Sequence, residues 1–128
     1  MSHSKESYKH LFAKNILADW LQGYYLKIRK EVQFCEKGDI LFIADVVCYT
    51  ENGITDVYEV VHKNGLDSKK LGIMQYYQYL NGYDFNVYEV QSEVILMQIQ
   101  KPKYIKKIDF SCYTTYANNQ HKIFVNRN

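Results

Sequence analysis

Hydrophobic positions recur every three or four residues in three stretches of the chain, which predicts amphipathic helices. The first helix runs from a cap at Ser4 to about Tyr24. Its apolar stripe is predicted to contain Tyr8, Leu11, Phe12, Leu17, Trp20, Leu21 and Tyr24. The second helix covers residues 69–80, and its predicted buried stripe consists of Leu71, Met74, Tyr77 and Leu80. A short third helix is predicted over residues 93–100, where Pro102 ends it.

Alternating and continuous apolar segments between these helices predict the strands. The predicted strands cover residues 26–34, 40–50, 54–63, 83–91, 104–113 and 121–126. The first alternates and is typical of a half-exposed edge strand. The second and third are apolar on both faces and are joined by the hairpin signal Glu51-Asn52-Gly53, so they belong in the middle of a covered sheet. The fourth follows a helix, which predicts a parallel crossover.

This order of elements predicts an α/β fold. Residues 1–100 would form an αβββαβ core with a mixed central sheet flanked by helices, and residues 101–128 a basic, aromatic extension packed on or beside it. A chain of 128 residues with 47% hydrophobic and 23% charged residues is typical of one globular domain and excludes a disordered or fibrous protein. It has no apolar run of the roughly 20 residues that a membrane helix needs, and no signal peptide core. We therefore expect an intracellular protein that is neither secreted nor membrane-bound.

The positive charge is concentrated at the end of the chain. Residues 101–128 carry six lysines and arginines against one acidic residue, whereas residues 1–100 carry 10 basic and 13 acidic residues. The lysines nearest the core are Lys101, Lys103, Lys106 and Lys107. Basic groups beside aromatic ones suit phosphate contact and base stacking, so these lysines are candidate nucleic-acid-binding residues. The alternative is a hairpin whose aromatic residues face the core and whose lysines are solvated.

Two acidic residues interrupt the apolar central strands. Asp45 lies within FIADVVC and Glu59 within VYEVV. If the hairpin turns at residues 51–53, strand alternation allows both carboxylates to point to the same side of adjacent strands. Burying a lone carboxylate is costly, so each needs a hydrogen-bond partner, a cation or a metal. Two carboxylates with a lysine alongside form a hard-oxygen site suited to Mg²⁺, which can activate water for attack on phosphate.

The strings that carry these acids, together with the order of elements, resemble the PD-(D/E)XK nuclease superfamily. The strings are ADVV at 44–47, YEVVH at 58–62 and DSKKL at 67–71. The resemblance covers roughly residues 4–91 and implies that Asp45 and Glu59 are catalytic and bind Mg²⁺ or Mn²⁺. It also implies DNA as the substrate and a homodimer in which each subunit cuts one strand.

The third strand departs from the superfamily pattern at its lysine. Val61 stands where the resemblance places the catalytic lysine, and Lys63 is the nearest substitute on the same strand face. Lys63 is thus either the catalytic lysine or a surface residue at a strand end. His62 alternates to the other face and is either a base or a packed residue. The resemblance makes Glu6 a third metal ligand, while a solvated first-turn position is the alternative.

These residues predict a small metal-dependent DNA endonuclease-like protein that hydrolyses phosphodiester bonds. The alternative is a catalytically inactive protein of the same fold that acts as a nucleic-acid-binding or structural assembly module. The two interpretations differ in whether Lys63 acts as the catalytic lysine that the resemblance places at the position of Val61.

Overall fold

A five-stranded sheet with helices packed on both faces makes up the part of the chain that the computed structural model describes, residues 7–63, 65–81 and 84–110. The helices are α1 (Tyr8–Leu21), α2 (Ser68–Leu80) and α3 (Ser92–Leu96). The strands are β1 (Lys27–Glu36), β2 (Asp39–Tyr49), β3 (Thr55–Val61), β4 (Phe85–Gln91) and β5 (Ile105–Lys107). No helix among these residues is long and apolar enough to cross a membrane.

The strands follow one another in the sheet in the order β1-β2-β3-β4-β5. Neighbours are antiparallel except β3 and β4, which are parallel because α2 carries the chain back to the same end of the sheet. The turn between β2 and β3 uses Gly53 at φ +84°, a conformation that favours glycine. The predicted α/β fold with a mixed sheet is therefore confirmed.

Two hydrophobic layers hold the helices to the sheet. One layer lies between α2 and the sheet and includes Phe34, Phe42, Val57, Met74, Phe85 and Val87. The other lies between the sheet and the α1–α3 pair and includes Ala13, Leu17, Val46, Tyr58, Val60 and Ile95. The central strands are buried on both faces, as their continuous apolar sequences predict.

The helix α1 differs from its prediction in its buried face and at both ends, and its last residue is Leu21 instead of Tyr24. It begins at Tyr8, with the Ser7 side chain accepting a hydrogen bond from the backbone N–H of His10, and Ser4 lies outside the described residues. The prediction of the apolar stripe was wrong at Tyr8, Leu11 and Phe12, which are exposed, and at Tyr24, which is exposed and lies beyond the last residue of the helix. The residues that face the sheet are Ala13, Lys14, Leu17, Ala18 and Leu21. Small alanines let the helix approach the sheet closely.

The beginning of the predicted extension belongs to the sheet. The strand β5 pairs antiparallel with β4, and Ile108 and Phe110 are buried in the layer under α2. This strand is shorter than the predicted 104–113, and the predicted strand at 121–126 lies outside the described residues. The third helix ends at Leu96 instead of residue 100.

Alanine substitutions on α1 test which of its faces is buried. Leu17 is fully buried, whereas Phe12 is 62% exposed. We expect Leu17→Ala to lower the free energy of unfolding by about 2–5 kcal/mol, because it leaves a cavity in the core. Phe12→Ala should change it by about 0.5 kcal/mol or less. Urea denaturation followed by circular dichroism measures both, and equal losses would contradict this assignment of the buried face.

Candidate active site

The strands β2 and β3 separate at Asp45 and Glu59. Their backbone ladder runs from Tyr49–Thr55 to Val46–Tyr58 and ends there. At the next position, side chains replace the backbone acceptors. Glu59 Oε2 accepts a hydrogen bond from the Asp45 N–H at 2.9 Å, and Asp45 Oδ2 accepts one from the Val60 N–H at 2.8 Å. Each carboxylate is thus anchored to the strand of the other, and both lie in the gap between the strands.

A lysine from α2 neutralises the buried Glu59 side chain, which is 1% exposed. Lys70 Nζ donates to Glu59 Oε1 at 2.6 Å and to the Ile43 carbonyl at 2.9 Å. Lys70 reaches this point because it lies in the first turn of α2, where Asp67 caps the helix by accepting from the Lys70 N–H at 2.8 Å. The ammonium therefore stands where a carboxylate and a carbonyl oxygen converge.

The surroundings of Glu59 raise the pKa of its carboxyl group to about 7. The main cause is burial, which disfavours the charged form, and the negative charge of Asp45 adds to it. The positive charge of Lys70 and the hydrogen bonds from Lys70 and Asp45 act in the opposite direction but do not cancel the effect. Any additional positive charge brought close to Glu59 would therefore stabilise the ionised form of its carboxyl group.

Asp45 is contacted by two basic residues of α1. Its Oδ1 atom lies 3.8 Å from Lys14 Nζ and 3.7 Å from His10 Nε2. Lys14 is only 2% exposed and also forms an ion pair with Glu31 of β1. A buried lysine needs such partners, because an uncompensated buried charge is strongly destabilising. Lys14 therefore ties α1 to both β1 and β2 at the level of the gap.

The regular alternation of side chains between the two faces of the sheet is broken in both β1 and β2, beside the gap between β2 and β3. In β1, Ile28 packs on the α1 side of the sheet, whereas Val32 and Phe34 pack on the α2 side. In β2, Phe42 and Ala44 pack on the α2 side, whereas Val46 and Cys48 pack on the α1 side. Even-numbered residues of each strand therefore lie on both faces of the sheet, which regular alternation does not allow. This break coincides with Glu31, whose φ of +57° is left-handed, and with Asp45 opposite it. Asp45 and Glu59 therefore share a gap instead of the predicted face: Asp45 is contacted from α1 and Glu59 from α2.

A third carboxylate lies in register beside Glu59. Glu89 of β4 is the parallel neighbour of Glu59, and its Oε2 accepts from the Leu66 N–H at 3.4 Å. A Cβ on Gly65 would lie 3.3 Å from the same oxygen, and Gly65 has a φ of +72°. The glycine thus allows the loop before α2 to close over Glu89, which binds the loop backbone.

The structure does not bring Lys63 to the carboxylates. Lys63 is exposed, and among residues 7–63, 65–81 and 84–110 it forms no ion pair with Asp45 or Glu59. His62 Nδ1 lies 3.1 Å from Ser92 Oγ, on the side of the sheet that faces α1 and α3. Glu6 lies outside the described residues.

The four lysines predicted to bind nucleic acid lie along the edge of the sheet formed by β5. Lys101 precedes the short turn before that strand and Lys103 lies within the turn, while Lys106 and Lys107 lie in the strand itself. All four are exposed, and Lys103 Nζ lies 5.1 Å from the centre of the Tyr104 ring. Their charged groups are therefore accessible to a partner.

Sequence reasoning missed Lys14 and Lys70, the two lysines that contact the carboxylates. A signal was present in both helices. Lys14 precedes the buried Leu17 by three residues, and Lys70 precedes the buried Met74 by four, so each lysine lies in line with an apolar stripe. A lysine at such a position is placed to reach a buried anion on the sheet.

Comparison with protein-family models, with curated proteins and with solved structures found no match for this chain. The order of elements and the residues around the gap are therefore the basis for assigning a function.

The pKa of Glu59 predicts how stability depends on pH in metal-free protein. This pKa is near 4.5 in the unfolded chain and about 7 in the folded one. Between these pH values the folded state binds the proton more tightly, so the free energy of unfolding should fall as the pH rises from 4.5 to 7. Urea denaturation in EDTA at several pH values measures this fall. Glu59→Gln should reduce it, and the exposed control Glu51→Gln should not; equal slopes in all three proteins would contradict the shift.

Proposed function

We propose that this protein is a metal-dependent nuclease that hydrolyses phosphodiester bonds in DNA at the gap between β2 and β3. The observation that supports this most is the pair of carboxylates, Asp45 and Glu59, anchored where two central strands separate, with the Lys70 ammonium 2.6 Å from Glu59. The order of elements agrees with the layout that the superfamily resemblance implies.

The donor atoms at the gap suit Mg²⁺ or Mn²⁺ in type. They are carboxylate oxygens of Asp45 and Glu59 and the carbonyl oxygen of Ile43, all hard ligands. Among the described residues no group of three His, Cys, Asp or Glu is arranged to hold a metal. Mg²⁺ commonly binds through one or two carboxylates and keeps several water molecules, so two carboxylates are sufficient. The raised pKa of Glu59 also favours a nearby cation.

The residues of the chain would divide the work as follows. A bound Mg²⁺ supplies Lewis-acid activation of water and of the phosphate oxygens. Asp45 and Glu59 would hold the ion, and the backbone N–H groups of Asp45 and Val60 fix the orientation of the two carboxylates. Lys70 takes the part that the sequence assigned to Lys63, since its ammonium is the one beside Glu59. There it would stabilise the negative charge that develops on the phosphate.

The remaining expectations about partners follow from this activity. Lys101, Lys103, Lys106 and Lys107 are exposed and would contact the DNA backbone. A homodimer would allow one subunit to cut each strand. We place the activity inside the cell, and the free thiols of Cys35 and Cys48 agree with a reducing compartment.

A second candidate is a nucleic-acid-binding or assembly module without hydrolytic activity. The observation that favours it is that each oxygen of the two carboxylates already has a protein partner. Lys70 and a backbone N–H contact Glu59, while Lys14, His10 and a backbone N–H contact Asp45. In this alternative Lys14 and Lys70 permanently balance the negative charges of Asp45 and Glu59, and no metal ion binds between the two carboxylates.

Calorimetric titration with Mn²⁺ and Mg²⁺ separates the two candidates at the level of binding. A nuclease should bind about one or two ions per chain, and Asp45→Asn should weaken the affinity at least about tenfold, because it removes a charged ligand. Glu51→Asn, at the exposed β2–β3 turn, serves as the control that removes a distant carboxylate. Identical titrations of wild type and Asp45→Asn would assign any metal uptake to another part of the chain.

Three lysines of the same region provide a matched test of cleavage. Lys70→Ala should lower kcat for Mg²⁺-dependent nicking of plasmid DNA by about 10²–10³-fold, the usual cost of losing one preorganised charge-stabilising group. Lys69→Ala is the control, since Lys69 is the exposed neighbour on the same helix. Lys63→Ala should leave kcat within a few-fold of wild type.

Supercoiled, branched and single-stranded substrates extend the same assay, and thermal unfolding of each variant identifies losses caused by misfolding. Lys70→Arg, which keeps the positive charge beside Glu59, should retain more activity than Lys70→Ala if charge is what matters. DNA binding by the wild type without metal-dependent cutting of any substrate would favour the module without hydrolytic activity.

A further inference from the structure

A cavity of about 470 Å³ lies beside the candidate active site, at the carboxyl ends of β3 and β4. It opens on the side of the sheet covered by α1 and α3. His62 on its wall is 5.7 Å, ring centre to ring centre, from His10, which in turn lies 3.7 Å from Asp45. The cavity is therefore a separate space that adjoins the gap through His10.

The charged groups in this cavity come from separate elements and are mainly positive. Lys9 comes from the first turn of α1, and Lys63 follows the end of β3. Glu93 is the only acidic residue among the described residues that line the cavity. Both lysines are exposed, and within residues 7–63, 65–81 and 84–110 neither has an ion pair to lose when its ammonium group turns toward a ligand.

Ser92 fixes the histidine of the cavity. Ser92 is buried at the start of α3, and its Oγ lies 3.1 Å from His62 Nδ1. When the hydroxyl donates this hydrogen bond, Nδ1 is the acceptor and Nε2 carries the proton. His62 then presents an N–H donor on an oriented ring. The cavity thus combines two exposed ammonium groups with an oriented imidazole N–H donor.

We propose that this cavity binds a phosphate group of the nucleic-acid strand, offset from the bond that is cut. Phosphate carries negative charge on several acceptor oxygens, which matches two ammonium groups and the His62 donor. The inference rests on the proposed function for the nature of the ligand, and it gives Lys63 a role. Lys63 positions the strand through a neighbouring phosphate, while Lys70 acts at the gap.

Titration with inorganic phosphate in EDTA, followed by two-dimensional NMR, tests the site without any hydrolysis. Lys9→Ala and Lys63→Ala should each weaken phosphate binding about five- to tenfold, since each removes a charge-assisted hydrogen bond. Glu93→Gln should strengthen it several-fold by removing a like charge. Lys69→Ala should leave it unchanged. Wild-type affinity in the Lys9→Ala/Lys63→Ala double variant would overturn the proposal.

Short single-stranded DNA with either a 5′-phosphate or a 5′-hydroxyl distinguishes a terminal from an internal phosphate. A preference for the phosphorylated strand that disappears in the double variant identifies a terminal phosphate. Equal affinities that both fall in the double variant identify an internal one. Equal affinities that do not change in the double variant would overturn the phosphate site.

The cleavage assay separates failure of this proposal from failure of the nuclease assignment. Lys63→Ala should raise KM and largely preserve kcat, the opposite of the effect expected for Lys70→Ala. If wild type binds phosphate through Lys9 and Lys63 but cuts no DNA, the phosphate site stands and the nuclease assignment fails. If the double variant cuts with wild-type KM, the nuclease assignment stands and the phosphate site is wrong.

Discussion

The buried carboxylate of Glu59 is the constraint on which the rest of this structure depends. A carboxylate that is almost fully buried in a central strand requires donors from several directions. The Asp45 backbone supplies one because β2 and β3 separate there, and Lys70 supplies another because α2 begins directly above the gap. The separation of β2 from β3 and the start of α2 are thus linked through one side chain.

Much of the fold followed from periodicity. The continuous apolar sequences of β2 and β3 identified central strands, and the signal at Gly53 located their hairpin. The crossover through α2 followed from the length of chain between two apolar strands. Prediction was poorer for α1, where large aromatic residues such as Tyr8 and Phe12 are exposed and small residues face the sheet. The hydrophobicity of a helix does not indicate how closely its backbone must approach the sheet, and it is this distance that favours small residues on the buried face.

The site was only half predictable for a related reason. Asp45 and Glu59 are conspicuous because each interrupts an apolar run, and a hairpin register places them opposite one another. The partners of these acids come from helices distant in sequence, so the alignment of Lys14 and Lys70 with apolar stripes marks them as candidates without indicating which acid each one contacts. Strict alternation also misplaced Asp45, because β1 and β2 change faces at Glu31, and a left-handed residue inside a strand has no recognisable pattern when it is a glutamate.

The position of β1 at the end of the sheet has a consequence for how the protein behaves at high concentration. Among the described residues no strand pairs with the outer side of this ten-residue strand, and such an edge offers backbone groups to any other extended chain, which is a route to aggregation. Here Lys27, Arg29 and Lys30 are exposed along that strand, and the left-handed Glu31 interrupts its regular hydrogen-bonding geometry. A parallel, in-register pairing of two copies along this edge would bring these basic side chains together, and the ladder would be irregular at Glu31, so a residue beside the gap also makes this edge a poor template for a second copy.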